Sequence, residues 1–297
     1  MNRTISHAVP AAPDRRIGIA LALLAVYIIW GSTYLAIRYT LTSFPPFLMA
    51  GSRFTLAGVL LMGLARWRNG SWPTRLQWRN AAIIGGLLLV TGNGLVVFAE
   101  QWVTSTMTAL MLATTPIWTA LLAGLGGTWP RRLEWVGLLL GFAGIVLLNL
   151  EGNLRANPFG AAVMLLAAFS WSLGSALSRK LELPSGLMGS GAEMLCAGLM
   201  LLLVSQALDE RMAALPNATA LVAFIYLIIF GALVAFSAYG FLLTYARPAL
   251  AMSYAYVNPV VAVALGVGLA GDTIGTFGLI AMLIILAAVV LVIVAKE

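Results

Sequence analysis

The sequence predicts an all-α membrane protein of ten transmembrane helices in two inverted five-helix repeats, and three observations lead there. Of 297 residues, 61% are apolar and 9% are charged, against about 45–50% and about 25% in an ordinary soluble domain. The basic residues gather in alternate loops. Residues of the first half recur, in order, about 140 positions later. The first observation alone excludes a soluble globular protein: 17 basic and 10 acidic residues stand where a soluble chain of this length carries about 70 charges.

A bilayer-spanning helix needs about 20 mostly apolar residues. Cutting the chain at charges, prolines and glycines yields ten segments, at about 17–39, 45–65, 80–102, 105–126, 133–150, 157–178, 185–207, 218–242, 248–270 and 274–295. The first follows Arg15-Arg16 as a signal peptide would, but no small-residue cleavage site follows and the apolar run continues to Ile37, so it reads as an uncleaved helix. The second carries Arg53 and the seventh Glu193 inside otherwise apolar runs. The third and fourth lie in the charge-free runs 80–99 and 101–130, and the fifth opens after Arg131-Arg132. The sixth, eighth, ninth and tenth lie in the charge-free runs 156–178, 212–246, 248–271 and 273–295.

An even number of spans puts both termini on one side, and the excess of Lys and Arg marks the cytoplasm. The side of the termini holds Arg3, Arg15, Arg16, Arg66, Arg68, Arg75, Arg79, Arg131, Arg132, Arg179, Lys180, Arg247 and Lys296. The other side holds Arg38, Arg155 and Arg211. Both termini are therefore expected in the cytoplasm. The net charge of +7 is spread through short loops; a nucleic-acid partner would need those charges gathered on one solvated face, so none is expected. The single Cys196 cannot form an intrachain disulfide, and His7 lies alone in a polar tail, so no metal site is expected. Lys180 and Lys296 are the only lysines, and neither ends a phosphate-binding G-x-x-x-x-G-K-[ST] loop. An ATP-driven pump is disfavoured, and no cofactor is expected.

The repeat rests on matched residues. Trp30 and Arg38 match Trp171 and Arg179, each pair 141 positions apart; Arg53-x-x-x-Ala57-Gly58 matches Glu193-x-x-x-Ala197-Gly198, and Pro116 matches Pro259. Residues 1–150, with a tail over 1–16, form the first repeat and 151–297 the second. Because five is odd, consecutive halves insert with opposite orientation, as in many secondary transporters.

At these residues the chain resembles the drug/metabolite transporter superfamily, in its ten-helix EamA-type branch. The resemblance covers roughly 17–295 and is carried by Trp30-Gly31-Ser32-Thr33, Arg53-Phe54 with Ala57-Gly58, Pro116, Glu134-x-x-Gly137-x-x-x-Gly141-x-x-Gly144, and Tyr254-Ala255-Tyr256-Val257-Asn258-Pro259. In the tenth span Gly278 is followed by Met282 and Ile285 instead of spaced glycines, so spans five and ten are not expected to play equal parts in packing or dimerisation. The resemblance implies export of small metabolites from the cytoplasm by alternating access, with amino acids, aromatic ones included, a frequent substrate class in similar proteins of bacterial inner membranes. Gradient-driven uniport and proton coupling both fit. The expected partners are a small-molecule substrate and the lipid bilayer, with the chain a monomer or a weak homodimer.

A rise of 1.5 Å per residue puts Pro116 and Pro259 each about 16 Å into its helix, near the midplane of a ~30 Å core. Each removes an i to i−4 hydrogen bond, freeing the carbonyls of Leu112 and Ala255. Beside the breaks lie Trp118 on one side and Tyr254 and Asn258 on the other; with Asn93 in Gly92-Asn93-Gly94, these form the candidate substrate site. The alternative for the two amides is cross-linking of neighbouring helices, worth about 0.6 kcal/mol on average. Trp30 and Trp171 fall on opposite sides of the midplane, each about 20 Å from the opposite face, and suit an outer and an inner gate. Arg53 and Glu193 each lie about 12 Å inside the membrane, deep enough for a functional or paired charge. An integral-membrane enzyme would need a nucleophile–base pair or a metal motif, and Gly189-Ser190-Gly191 has no intramembrane histidine. A non-transporting assembly factor is the other alternative.

Overall fold

The computed structural model describes residues 12–99, 101, 108, 111–149, 158–265 and 275–295. Arg3, His7, Glu100, Trp102, Arg155 and Lys296 lie outside the described residues. Among those described, all regular structure is helical: α1 (Ala12–Thr40), α2 (Pro46–Trp67), α3 (Arg75–Ala99), α4 (Thr115–Leu125), α5 (Arg132–Asn149), α6 (Pro158–Ser178), α7 (Leu187–Ala207), α8 (Ala218–Tyr245), α9 (Pro248–Met252), α10 (Tyr254–Leu265) and α11 (Thr276–Val294). Seven of them (α1, α2, α3, α6, α7, α8 and α11) are long and apolar enough to cross a bilayer, so the chain is a multi-pass membrane protein.

Local chemistry sets the ends. α3 starts at Arg75 rather than near residue 80 because Thr74 and Gln77 form a reciprocal capping box, which satisfies two orphan amides ahead of the apolar run. α2 starts at a proline and is capped from a distance: the Glu210 carboxylate, beyond the end of α7, accepts from the Phe47 and Leu48 amides at 3.2 and 2.7 Å. A carboxylate at that end also suits the helix dipole. Two helices depart from α geometry along their length, α3 over Gly86–Gly94 and α8 over Leu227–Val234, where the backbone widens into a π-helix. The two wide stretches start 141 positions apart, the same spacing that separates Trp30 from Trp171.

Packing between the halves is reciprocal. α2 lies on α7, and α5 on α11; α1 packs on α8 and α10, while α6 packs on α3 and α4. The α2–α7 crossing depends on the small residues of the repeated motif. A Cβ on Gly58 would come within 2.6 Å of the Leu195 nitrogen, and one on Gly198 within 2.4 Å of the Thr55 nitrogen. Without a hydrophobic driving force between helices in lipid, such close backbone approach is how helices gain contact. The spaced glycines of α5 are used inside the chain: Gly137 receives Val292 and Gly144 receives Ile285, both from α11. The bulkier α11 is thus the complement of α5 and not its equal. Arg247 ties this pair to the start of α9, bonding Glu134 at 2.8 Å and the last carbonyls of α11 at Val292 and Ala295.

Candidate functional site

At the crossing of α1, α2, α3, α6 and α10 lies a cavity of about 90 Å³. It has room for several waters, each needing about 10–15 Å³. Leu112 and Ala255, each four residues before one of the two prolines, both line it, as do Thr115, Tyr254 and Asn258; Pro116 itself stands in the first turn of α4, where its missing N–H removes no bond within that helix. The interruptions are visible in the chain trace. A turn at Ala113-Thr114 precedes α4, and Ser253 separates α9 from α10. Polar side chains fasten the edges of both: Ser172 donates to the Thr115 carbonyl at 3.0 Å, and the Ser253 and Tyr27 hydroxyls lie 2.5 Å apart.

Asn258 is 2% exposed. With its amide turned to suit its acceptors, the nitrogen donates to the carbonyls of Tyr254 and Tyr27 at 3.1 and 3.3 Å. It therefore bridges α10 to α1 while bordering the cavity. Asn93, in the π-helical stretch of α3, accepts from Arg53 Nη2 at 2.9 Å. Arg53 also lies over the Phe54 ring at 4.2 Å. Among the described residues no ion pair joins Arg53 to Glu193; Arg53 lines this cavity, and Glu193 lines another.

That second cavity, of about 740 Å³, lies toward the loop joining α6 to α7 and is lined by Arg179, Ser190, Glu193, Ser237 and Tyr245 among others. Four aromatic side chains form a layer beside the first cavity, three of them, Trp30, Trp171 and Tyr254, in its wall. Trp30 meets Trp171 edge to face at 5.5 Å and touches Tyr239 at 5.1 Å and Tyr254 at 4.9 Å. The Tyr239 hydroxyl accepts from Trp171 Nε1 at 3.0 Å and lies 2.6 Å from Ser175 Oγ. Each tryptophan is seated on the widened helix of the other half: Trp30 Nε1 donates to Gly231 O at 3.1 Å, and a Cβ on Gly92 would come within 2.9 Å of the Trp171 ring. Helix rise separates the two tryptophans in depth, but large rings extended sideways from α1 and α6 meet in one layer.

Of the predicted site residues, Trp30, Arg53, Asn93, Trp171, Tyr254 and Asn258 all border the first cavity. Trp118 does not; its ring packs edge to face on Phe169 at 5.5 Å, and Pro116 and Pro259 shape the helices without lining the cavity. The sequence reading missed Tyr239, because one tyrosine inside a charge-free run carries no signal of the face it presents. It also missed the π-helical stretches, although Gly92-Asn93-Gly94 and Gly231 mark them.

The EamA-like transporter family profile matches residues 16–150 and again 158–294. The chain is 46% identical over 276 residues to the uncharacterized inner membrane transporter YedA of Escherichia coli strain K12, covering 93% of this chain and 90% of that protein. It is 30% identical over 242 residues to Protein PecM of Dickeya dadantii, covering 80% of each. A solved crystal structure superposes with a TM-score of 0.78 at 22% identity, over 93% of this chain and 96% of the other, which shows a shared fold.

Proposed function

The chain belongs to the EamA-like transporter family, and we propose that it sits in a bacterial inner membrane and exports small polar metabolites, amino acids foremost, by alternating access. The observation that carries the reading is the cavity where two interrupted helices from opposite halves, α4 and α10, come together beside a layer of aromatic rings. Discontinuous helices in matched halves are the arrangement by which many secondary transporters hold a solute at mid-membrane. Backbone carbonyls at the interruptions suit an ammonium group, and Tyr254, Asn258 and Asn93 supply directional contacts.

Ten spans in two inverted repeats, 1–150 and 151–297, with both termini in the cytoplasm, complete the proposal. Its support is the double match of the family profile, the reciprocal packing of the halves and the equal spacing of the π-helical stretches and the tryptophans. In this orientation the larger cavity faces the cytoplasm, and Trp30, Trp171, Tyr239 and Tyr254 close it off from the inner cavity. Opening the layer on one side and the inner cavity on the other admits solute by turns. Uniport down the substrate gradient is the simplest coupling that this needs. The test is uptake and counterflow of a panel of labelled metabolites by the purified protein in liposomes. Transport of none of them above protein-free liposomes overturns the reading.

A further inference from the structure

The inner cavity is lined by one charged side chain that, among the described residues, meets no opposite charge. Arg53 is 4% exposed and lines the cavity wall. A guanidinium has five N–H donors. Here one bond reaches the neutral Asn93 amide at 2.9 Å, the Phe54 ring lies beneath at 4.2 Å, and Nε is buried with no partner. Among the described residues no carboxylate pairs with it. Charges at this depth are costly and are kept when paired or functional, and a planar guanidinium left with free donors is shaped for a carboxylate taken two-pronged.

Asn93 accepts from Nη2, which fixes the plane of the fork, and among the described residues no other acceptor takes the remaining donors. This asparagine sits in the π-helical stretch of α3. The matched position in the other half holds Glu193, which lines the second cavity instead, so the cationic anchor exists once. Resting on the reading of this cavity as the solute site, we propose that Arg53, oriented by Asn93, binds the carboxylate of the transported solute. The substrates are then amino acids or similar small carboxylates, and amines and amides lacking a carboxylate bind more weakly.

The experiment uses the purified full-length chain in detergent and the twenty proteinogenic L-amino acids, each paired with its amide, with thermal stabilisation and dissociation constants as readouts. At least one free acid is expected to bind, and its amide to bind at least tenfold more weakly. Arg53→Gln should weaken that acid at least tenfold and leave the amide unchanged, with Arg53→Lys recovering part of the loss. If Arg53→Gln does not fold, Asn93→Ala, which keeps the charge but releases its orientation, must weaken the acid several-fold and spare the amide. Acid and amide binding alike in the wild type, or equal losses of both in the variants, overturn the proposal, as does a panel in which no free acid binds. Tyr254→Ala and Trp171→Ala separate the two readings. Binding lost in these but unchanged in Arg53→Gln leaves the cavity as the solute site and removes only the carboxylate anchor; binding unchanged in all three removes the cavity as well.

Discussion

Replacing Tyr239 by phenylalanine keeps the ring that fills the aromatic layer and deletes only the hydroxyl. The Ser175 hydrogen is committed to the Trp171 carbonyl at 2.7 Å, so Tyr239 donates to Ser175 Oγ at 2.6 Å and accepts from Trp171 Nε1 at 3.0 Å. Ser175 keeps its acceptor after the change, whereas the indole N–H of Trp171 is orphaned. An unsatisfied buried donor costs about 1–3 kcal/mol. Trp171 borders the inner cavity, where a water can take up the N–H, so the expected loss lies toward 1 kcal/mol of that range. The loss falls on the arrangement in which the layer is closed. A penalty of 1–3 kcal/mol is about a 5–150-fold shift between two states. Thr33 lines the inner cavity and is the place for a reporter. With Cys196→Ala as background, a Thr33→Cys reporter in inside-out vesicles should react with an impermeant thiol reagent about fivefold faster or more when Tyr239→Phe is added. Denaturant unfolding in detergent should show a matching drop in stability. An unchanged labelling rate together with an unchanged unfolding midpoint would refute the assignment of the hydroxyl as a latch on the layer.

Three further outcomes are expected. In the same cysteine-free background, a cysteine at the exposed Ser71 should resist an impermeant thiol reagent in intact cells and one at Leu215, 93% exposed, should react; the reverse pattern contradicts cytoplasmic termini. Counterflow in liposomes should proceed without ATP and without a pH gradient, because a zwitterion feels no net pull from a membrane potential worth about 2.3 kcal/mol per charge per 100 mV; strict dependence on an imposed proton gradient would make Glu193 the first residue to test as carrier. Gly198→Leu should cost at least about 1–3 kcal/mol by overpacking, since the new Cβ meets the Thr55 backbone nitrogen at 2.4 Å, and monodisperse expression at the normal level would show that the α2–α7 crossing is looser than described.

Much was legible along the chain. Apolar length and charge-free runs predicted a multi-pass helical protein, and the positions of α1, α2, α6, α7 and α11 agree with it to within a few residues. The paired prolines pointed to Leu112 and Ala255, and both residues line the inner cavity. These features are local: hydropathy is averaged over one helix, and a proline acts on the carbonyl four residues before it.

What the tertiary structure decided depends on how helices are rotated and set beside one another, which no single helix encodes. Depth arithmetic offered Arg53 and Glu193 to each other; the rotation of α2 and α7 turns them to separate cavities, and Arg53 finds Asn93 across a widened turn of α3. The same arithmetic separated Trp30 from Trp171, yet side chains reaching sideways bring the rings to 5.5 Å. Trp118 shares its depth with the site but faces Phe169, away from the cavity. Glu210, in a loop, caps α2 from 162 positions away or more. Along a helix, position sets depth through a fixed rise. Around the helix it is the packed neighbours, through small residues such as Gly58 and Gly198, that set which side chains meet.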